Sequence, residues 1–323
     1  MRLLLFADPS LASSMTLLEG CLKAAGGRGD VEVVAVIDTS RTPAPPLRLA
    51  RAALSRGLRS AFNLNTTAEP ERTPLLRTCA SLSRRARVRL LTPGKTGVND
   101  PDFVAELDRL RADAAIALMV AQIFRAPLLE TCGLPVNYHN GLLPRYQGVA
   151  ATGWSIYEGA QRSGFSFHLM SEQVDRGPLL LQDSVPLRHD STAAVVEQAK
   201  TALARTKLSE LFDVLLAPAL SPLVRDEPGS SFGRAEMGAI RTVEDPTALT
   251  LAELQLRLRA FEILDLTLAG ERCRVTALRR VGARPRNRRL AFTTADGVAV
   301  EPSRILHLPP VVHRALRPLV GPA

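Results

Sequence analysis

The spacing of hydrophobic positions changes period repeatedly along the first two-thirds of the chain. RLLLFA (2–7) carries an unbroken apolar run, Leu3 to Ala7, of strand length. SLASSMTLLEGCLKAAG (10–26) then spaces its apolar residues along one face of a helix, until Gly26 and Gly27 stop it. VEVVAVID (31–38) returns to a strand, which completes a βαβ unit. TPAPP (42–46) interrupts the pattern. LRLARAALSRGLRSAF (47–62) reads as a basic amphipathic helix, and a polar, proline-containing stretch runs on to about residue 80. Further strands are expected at RVRLLTP (87–93), AAIALMV (114–120), PVNYH (135–139), GFSFHLM (164–170) and LLLQDSVPL (179–187). The helical period returns in DPDFVAELDRLRA (100–112), APLLETC (126–132) and ATGWSIYEG (151–159), and in a long helix over 190–217 with Asp190 or Ser191 as its N-cap.

This alternation predicts an α/β fold, a doubly wound and mainly parallel sheet with antiparallel strands late in the domain. The domain runs over 1–217. The proline-rich stretch APALSPLVRDEPGSSFG marks a linker at 218–235, and 236–323 forms a small β-rich C-terminal domain. There LAELQLRLRAF (251–261) is a helix, and the short strands LDLTLAG, CRVTALRRV, RLAFTT and GVAVEP suggest a small barrel or sandwich. No internal repeat is evident.

Composition changes this picture little. A chain of 323 residues that is 46% hydrophobic has ample material for a core, and with 4% aromatics that core is built from Leu, Val and Ala. A net charge of +9, carried mostly by arginine, favours acidic partners such as nucleic acid or phosphorylated metabolites. Cys21, Cys79, Cys132 and Cys273 are far apart and form neither a disulfide framework nor a zinc site. No stretch approaches the roughly 20 apolar residues of a membrane span, and MRLLLF is too short for a signal segment, so no membrane association and a cytoplasmic location are expected. There is no GxGxxG after the first strand and no GxxxxGK[ST] anywhere, which removes the main support for dinucleotide or P-loop chemistry.

The chemistry concentrates in VNYHNGLLPRYQG (136–148). Asn137 and His139 lie two apart in a strand and share one face, just before a loop containing Gly141 and Pro144. Either they cap that loop or they point at a ligand. VDRGPLLLQ supplies a third candidate, Asp175, ahead of Gly177 and Pro178. An amide and an imidazole can donate to an oxyanion at an attacked carbonyl. A carboxylate beside the imidazole favours its protonated form and can relay protons, so that His139 and Asp175 titrate as a unit. No Ser or Cys stands in a recognisable nucleophile elbow, which points to direct acyl transfer.

NYHNGLLPRYQG, followed about thirty residues later by HLMSEQVDRGPLLLQ, resembles the folate-dependent formyltransferase family. That family includes methionyl-tRNA, glycinamide ribonucleotide and sugar N-formyltransferases. Its pattern, Asn-x-His-x-x-Leu-Leu-Pro and then Asp-x-Gly, is present here in order and spacing, and the resemblance covers roughly 1–217. The C-terminal part looks more weakly like the second domain of methionyl-tRNA formyltransferases. The resemblance implies a Rossmann-like fold, 10-formyltetrahydrofolate as co-substrate, no metal, and Asn137, His139 and Asp175 as catalytic residues. It also implies a pterin slot lined largely by backbone between two loops. One contains Met119, Val120, Gln122, Ile123 and Phe124; the other contains Glu172 and Val174.

Several positions depart from the family. Gly141 stands where many members have Ser, Asn140 precedes it, and Gln147 replaces a frequent Arg. ATGWSIYEG lacks the Ala-Pro usual in methionyl-tRNA formyltransferases, and the segment between TPAPP and RVRLL does not resemble their short Gly/Lys/Arg loop. The expected acceptor is therefore a primary amine on a small or carrier-bound molecule. Methionyl-tRNA is the alternative, favoured by the net charge, the basic helix at 47–62 and RRVGARPRNRR (279–289); a formyl-tetrahydrofolate hydrolase would use the same residues with water. His168 is read as structural, and His189, His307 and His313 as surface residues.

Overall fold

The computed structural model describes residues 1–40, 78–94, 96–223, 228–282, 285 and 288–305. The expected basic helix at 47–62, TPAPP, His307 and His313 lie outside the described residues, as do 283–284 and 286–287 of the basic segment. The chain divides into two units. One comprises Met1–Gly148, Ser163–Val185 and Glu197–Ser230; the other comprises Val149–Arg162, Pro186–Val196 and Ser231–Ala323.

The first unit is built on seven strands: β1 (Arg2–Ala7), β2 (Glu32–Asp38), β3 (Arg89–Leu91), β4 (Ala114–Leu118), β5 (Leu134–His139), β6 (Arg162–Leu169) and β7 (Leu179–Pro186). Their order in the sheet is β3-β2-β1-β4-β5-β6-β7, parallel from β3 to β5, with β6 antiparallel to β5. The apolar run of β1 explains its central position, because Leu3, Leu4, Leu5 and Phe6 are all fully buried. Each such side chain contributes about 1.5–3 kcal/mol relative to exposure. The strand order reverses between β1 and β4, which opens a crevice at the carboxyl ends of the strands, where ligands bind in open α/β sheets.

Helices cover the sheet: α1 (Ala12–Gly26), α2 (Cys79–Ala86), α3 (Pro101–Asp108) and α4 (Ala126–Thr131). Helix α2 was not legible in an arginine-rich stretch. It is set by a capping box in which Thr78 accepts the Ser81 N–H and the Ser81 hydroxyl accepts the Thr78 N–H.

Further along, α5 (Ala151–Tyr157) lies in the second unit, and the single long helix expected over 190–217 is two, α6 (Ala193–Thr206) and α7 (Leu208–Leu216). At the break the Thr206 hydroxyl donates to the Leu203 carbonyl at 2.7 Å, a local bond that competes with the helical ladder. The helix also starts later than expected. The Thr192 hydroxyl accepts the Val195 N–H, whereas the Ser191 hydroxyl is taken by Arg188.

The second unit contains α8 (Arg234–Arg241) and α9 (Leu251–Phe261), with β8 (Thr242–Val243), β9 (Leu264–Leu268), β10 (Glu271–Arg280), β11 (Phe292–Thr293) and β12 (Ala299–Ile305). Among the described residues these strands form one sheet, β8-β9-β10-β12-β11, rather than a barrel or sandwich. Ala269 and Gly270 join β9 to β10 with positive φ at both positions, the backbone of a type I′ hairpin turn. Trp154 of α5 stacks on Phe232 at 4.1 Å and meets Phe261 edge-on, which places α5 in this unit's core. Two arginines of the basic segment have carboxylate partners: Arg279 pairs with Glu301 and Arg289 with Glu271. No described helix is long and apolar enough to cross a membrane.

Candidate active site

Strand β5 sorts its residues by alternation. Tyr138 points into the core against Phe165 and Phe167, while Asn137 and His139 face the opposite way at the carboxyl end of the sheet. Antiparallel pairing with β6 sets His168 directly opposite Asn137. Asn137 Nδ2 lies 3.1 Å from His168 Nε2, and His168 Nδ1 donates to the Leu169 carbonyl at 2.8 Å. With Nδ1 turned to that carbonyl, His168 faces the Asn137 amide and Asp175 with Nε2. His168 is therefore part of this cluster, which its place in an alternating apolar strand did not reveal.

Asp175 closes the cluster from the loop after β6. One carboxylate oxygen, Oδ2, accepts the Gly148 N–H at 2.8 Å and stands 3.4 Å from His139 Nδ1. The other, Oδ1, is 3.4 Å from Asn137 Nδ2 and 3.5 Å from His168 Nε2. The Asp-x-Gly spacing has a steric cause here. A Cβ on Gly177 would lie 1.8 Å from the Leu169 carbonyl oxygen, so only glycine lets the loop fold back on the end of β6. Asp175 itself takes a left-handed backbone conformation, φ 56°, which costs about 1 kcal/mol and aims its side chain inward.

The loop after β5 supplies the remaining partners. Tyr146, at φ 59°, turns its carbonyl onto His139 Nε2 at 2.7 Å; a carbonyl can only accept, so Nε2 carries a proton. Ser230 steadies this turn, its hydroxyl accepting the Tyr146 N–H and its own N–H donating to the Pro144 carbonyl. The end of the proline-rich stretch is thus attached to the site loop.

Burial is the largest influence on His139 and pulls it below the ordinary histidine range, with smaller contributions in the same direction from His168 and Lys200. The nearby Asp175 charge and the Tyr146 carbonyl oppose this without overcoming it. His139 is therefore neutral near pH 7, which corrects the expectation that Asp175 holds it protonated. The desolvation that dominates a buried ring outweighs a carboxylate contact of 3.4 Å. Burial likewise pushes Asp175 up, but the His168 contact, the electrostatic pull of the neighbouring His139 ring and the Gly148 N–H together bring it below the usual carboxylate range. The resting pair is a carboxylate beside a neutral imidazole.

The loop after β4 carries the other predicted residues. Met119 begins it with φ 60° and, like Val120, is half-buried. Ile123 is 64% exposed and, across the site, Val174 is 53% exposed, with Glu172 also on the surface. The Phe124 ring packs on Phe6 in the core, leaving its backbone to border the loop. The Gln122 side chain is engaged within the fold. It donates to the Thr39 carbonyl at 2.7 Å and accepts the Val98 N–H at 3.0 Å, tying two neighbouring loops together. Asn99 does the same for Ile123 and Arg125.

Beneath the site, Lys200 of α6 is fully buried and donates to the Asn140 carbonyl at 2.6 Å, while Glu197 accepts the Asn140 side-chain amide at 3.2 Å. Sequence reading missed both, because nothing in a helical pattern marks which polar residue turns inward. His189 is exposed. Among the described residues no set of three or more His, Cys, Asp or Glu side chains is arranged to hold a metal, and all four cysteines are buried thiols.

Residues 12–211 match the formyl transferase family. The methionyl-tRNA formyltransferase of Anaeromyxobacter dehalogenans is 31% identical over 153 residues, 47% of this chain and 48% of that protein. That of Myxococcus xanthus is 32% identical over 170 residues, 51% of this chain and 53% of that protein. The chain spans about half the length of the curated relatives it matches. A sugar N-formyltransferase from Shewanella superposes with a TM-score of 0.55 at 17% identity, covering 95% of this chain and 98% of that one. An N-formyltransferase from Helicobacter canadensis, solved with folinic acid and dTDP-3-aminofucose, gives 0.57 at 16% identity, covering 94% and 99%. At these identities the structural likeness establishes the fold.

Proposed function

This chain belongs to the formyl transferase family, and from that membership we propose that it moves the formyl group of 10-formyltetrahydrofolate onto a primary amine of a small or carrier-bound acceptor. The observation that carries the reading is the single carboxylate of Asp175, which reaches Asn137 with one oxygen and His139 with the other. The donor supplies an activated N-formyl carbonyl. The remaining work falls to side chains of the cluster.

Asn137 Nδ2 serves the charge that grows on the attacked carbonyl oxygen. Its present contacts, 3.1 and 3.4 Å, are long enough to be exchanged for a stronger acceptor. The proton leaving the amine passes to the Asp175–His139 pair and rests on His139 Nδ1 while the tetrahedral intermediate stands. It is then returned to the donor nitrogen as the bond between that nitrogen and the formyl carbon breaks and tetrahydrofolate leaves. While the proton is on the ring, Nδ1–H faces Asp175 Oδ2 and Nε2–H stays on the Tyr146 carbonyl, so the imidazolium finds both acceptors already in position. Its charge then lies beside the oxyanion, in a buried site where such interactions are strong. For the donor, the exposed apolar side chains of Ile123 and Val174 fit a flat ring, and the backbone at 119–124 and 171–175 fits its polar edge.

The acceptor preference rests on the residues around the site. Gln147 is where an arginine is frequent, and the Asn140 amide is already engaged by Glu197. The similarity to methionyl-tRNA formyltransferases supports a second reading, methionyl-tRNA as acceptor. The test is an acceptor panel with 10-formyltetrahydrofolate, reading tetrahydrofolate release. Turnover with amino sugars or other small amines supports the first reading. Turnover with methionyl-tRNA that falls steeply between about 50 and 200 mM salt, as several phosphate contacts require, supports the second. Formate released without any amine identifies a hydrolase instead, and no consumption of the donor overturns the assignment.

A further inference from the structure

Asn140 is held from two sides by one helix turn. Lys200 Nζ donates to its carbonyl at 2.6 Å, its side-chain amide donates to Glu197 Oε2 at 3.2 Å, and Lys200 and Glu197 are themselves 3.4 Å apart. Asn140 directly follows His139 and opens the loop that delivers the Tyr146 carbonyl to His139 and the Gly148 N–H to Asp175. Lys200 is fully buried, and a neutral side chain of similar volume could fill such a place without the desolvation that a buried ammonium costs. Simple packing does not call for a charge here.

We propose that Lys200 is a positioning residue for His139, acting through the Asn140 carbonyl, with Glu197 as its counter-charge. It fixes the start of the loop whose turn holds both ring partners of His139. Its charge also acts on the imidazole in the same direction as burial and against Asp175. The charged and titratable groups around the ring are then Asp175 from the loop after β6, His168 from β6 and Lys200 from α6, with Glu197 next to Lys200. Removing the Lys200 charge leaves Asp175 less opposed, so His139 takes up its proton at higher pH.

This rests on the reading of His139 as the proton acceptor, and its test has a readout independent of turnover. The His139 ring is followed by NMR through a pH titration of the whole chain, assigned by its loss in His139→Gln. In Lys200→Met the His139 titration moves to higher pH, the acid limb of kcat/KM moves with it, and kcat falls by about 10–100-fold from a displaced loop with KM little changed. Should the single variant fail to fold, Glu197→Gln with Lys200→Met removes both charges and gives the same direction. A folded variant in which the His139 titration and kcat are unchanged reduces Lys200 to a packing residue. If the titration shifts but no formyl transfer occurs in the wild type, the positioning stands and the proposed reaction fails.

Discussion

Two partly buried carboxylates in this protein are held in opposite ways. Asp265, in the second unit, receives the Arg274 guanidinium on both oxygens, at 2.8 and 3.0 Å. Asp175 is at least as buried, yet it has one short bond, from Gly148, and three contacts of 3.4–3.5 Å to Asn137, His139 and His168. A bidentate arginine fork saturates a carboxylate with a fixed partner and leaves it nothing further to do. Asp175 is surrounded by groups that can each change a proton or a partner, at distances where neither state is fully satisfied. That is the difference between a carboxylate that holds a fold and one that is poised for chemistry.

The comparison breaks most sharply at the carboxylates themselves. Asp175→Asn is expected to lower kcat/KM by about 10²–10⁴-fold, the range of an acid–base group, with little change in Tm. Asp265→Asn is expected to do the reverse, leaving turnover intact and costing about 1–2 kcal/mol in urea unfolding, because the guanidinium loses a charged acceptor. Near-normal turnover of Asp175→Asn across the pH range would end the proton-relay assignment.

Next in size are Asn137→Ala and His139→Ala, each expected to cost about 10²–10³ in kcat. The double variant should lose far less than the product of the two, since the residues act as a unit through Asp175. Full multiplicativity in the double-mutant cycle would mean that the two side chains work independently.

His168 gives a smaller effect. His168→Gln keeps an acceptor for the Asn137 amide and is expected to cost about 10-fold or less, whereas His168→Leu leaves that amide unpaired and costs more. Equal kcat values for the two variants would remove His168 from the site.

The smallest effect is on stability. The folded-state pKa of His139 is depressed, so the unfolded chain binds the proton more readily than the folded one. The folded protein therefore loses stability as pH falls below the unfolded value of about 6.5 toward the folded one, by at most about 1.4 kcal/mol per pH unit. Urea titrations at pH 7 and pH 5.5 should show this loss in the wild type and a weaker one in His139→Gln. An equal loss in both would place the dependence elsewhere.

What could be read from the chain without coordinates were the features carried by short-range periodicity. The apolar run in RLLLFA announced a strand, and the two-residue spacing of Asn137 and His139 put both on one face because side chains alternate along a strand. Gly177 and the preceding Asp175 were visible as a motif, though the collision with the Leu169 carbonyl that requires the glycine was not. Only tertiary structure could decide which distant groups meet. His168 joins Asn137 because β5 and β6 pair antiparallel in one register, and Lys200 reaches Asn140 because one face of α6 turns inward beneath the loop. The same holds for charge. A carboxylate expected beside the histidine argued for a protonated ring, but protonation is decided by how much water the fold removes, and here burial of His139 outweighs its neighbour. Residue types and local spacing are properties of the chain; desolvation and long-range partners exist only once it has folded.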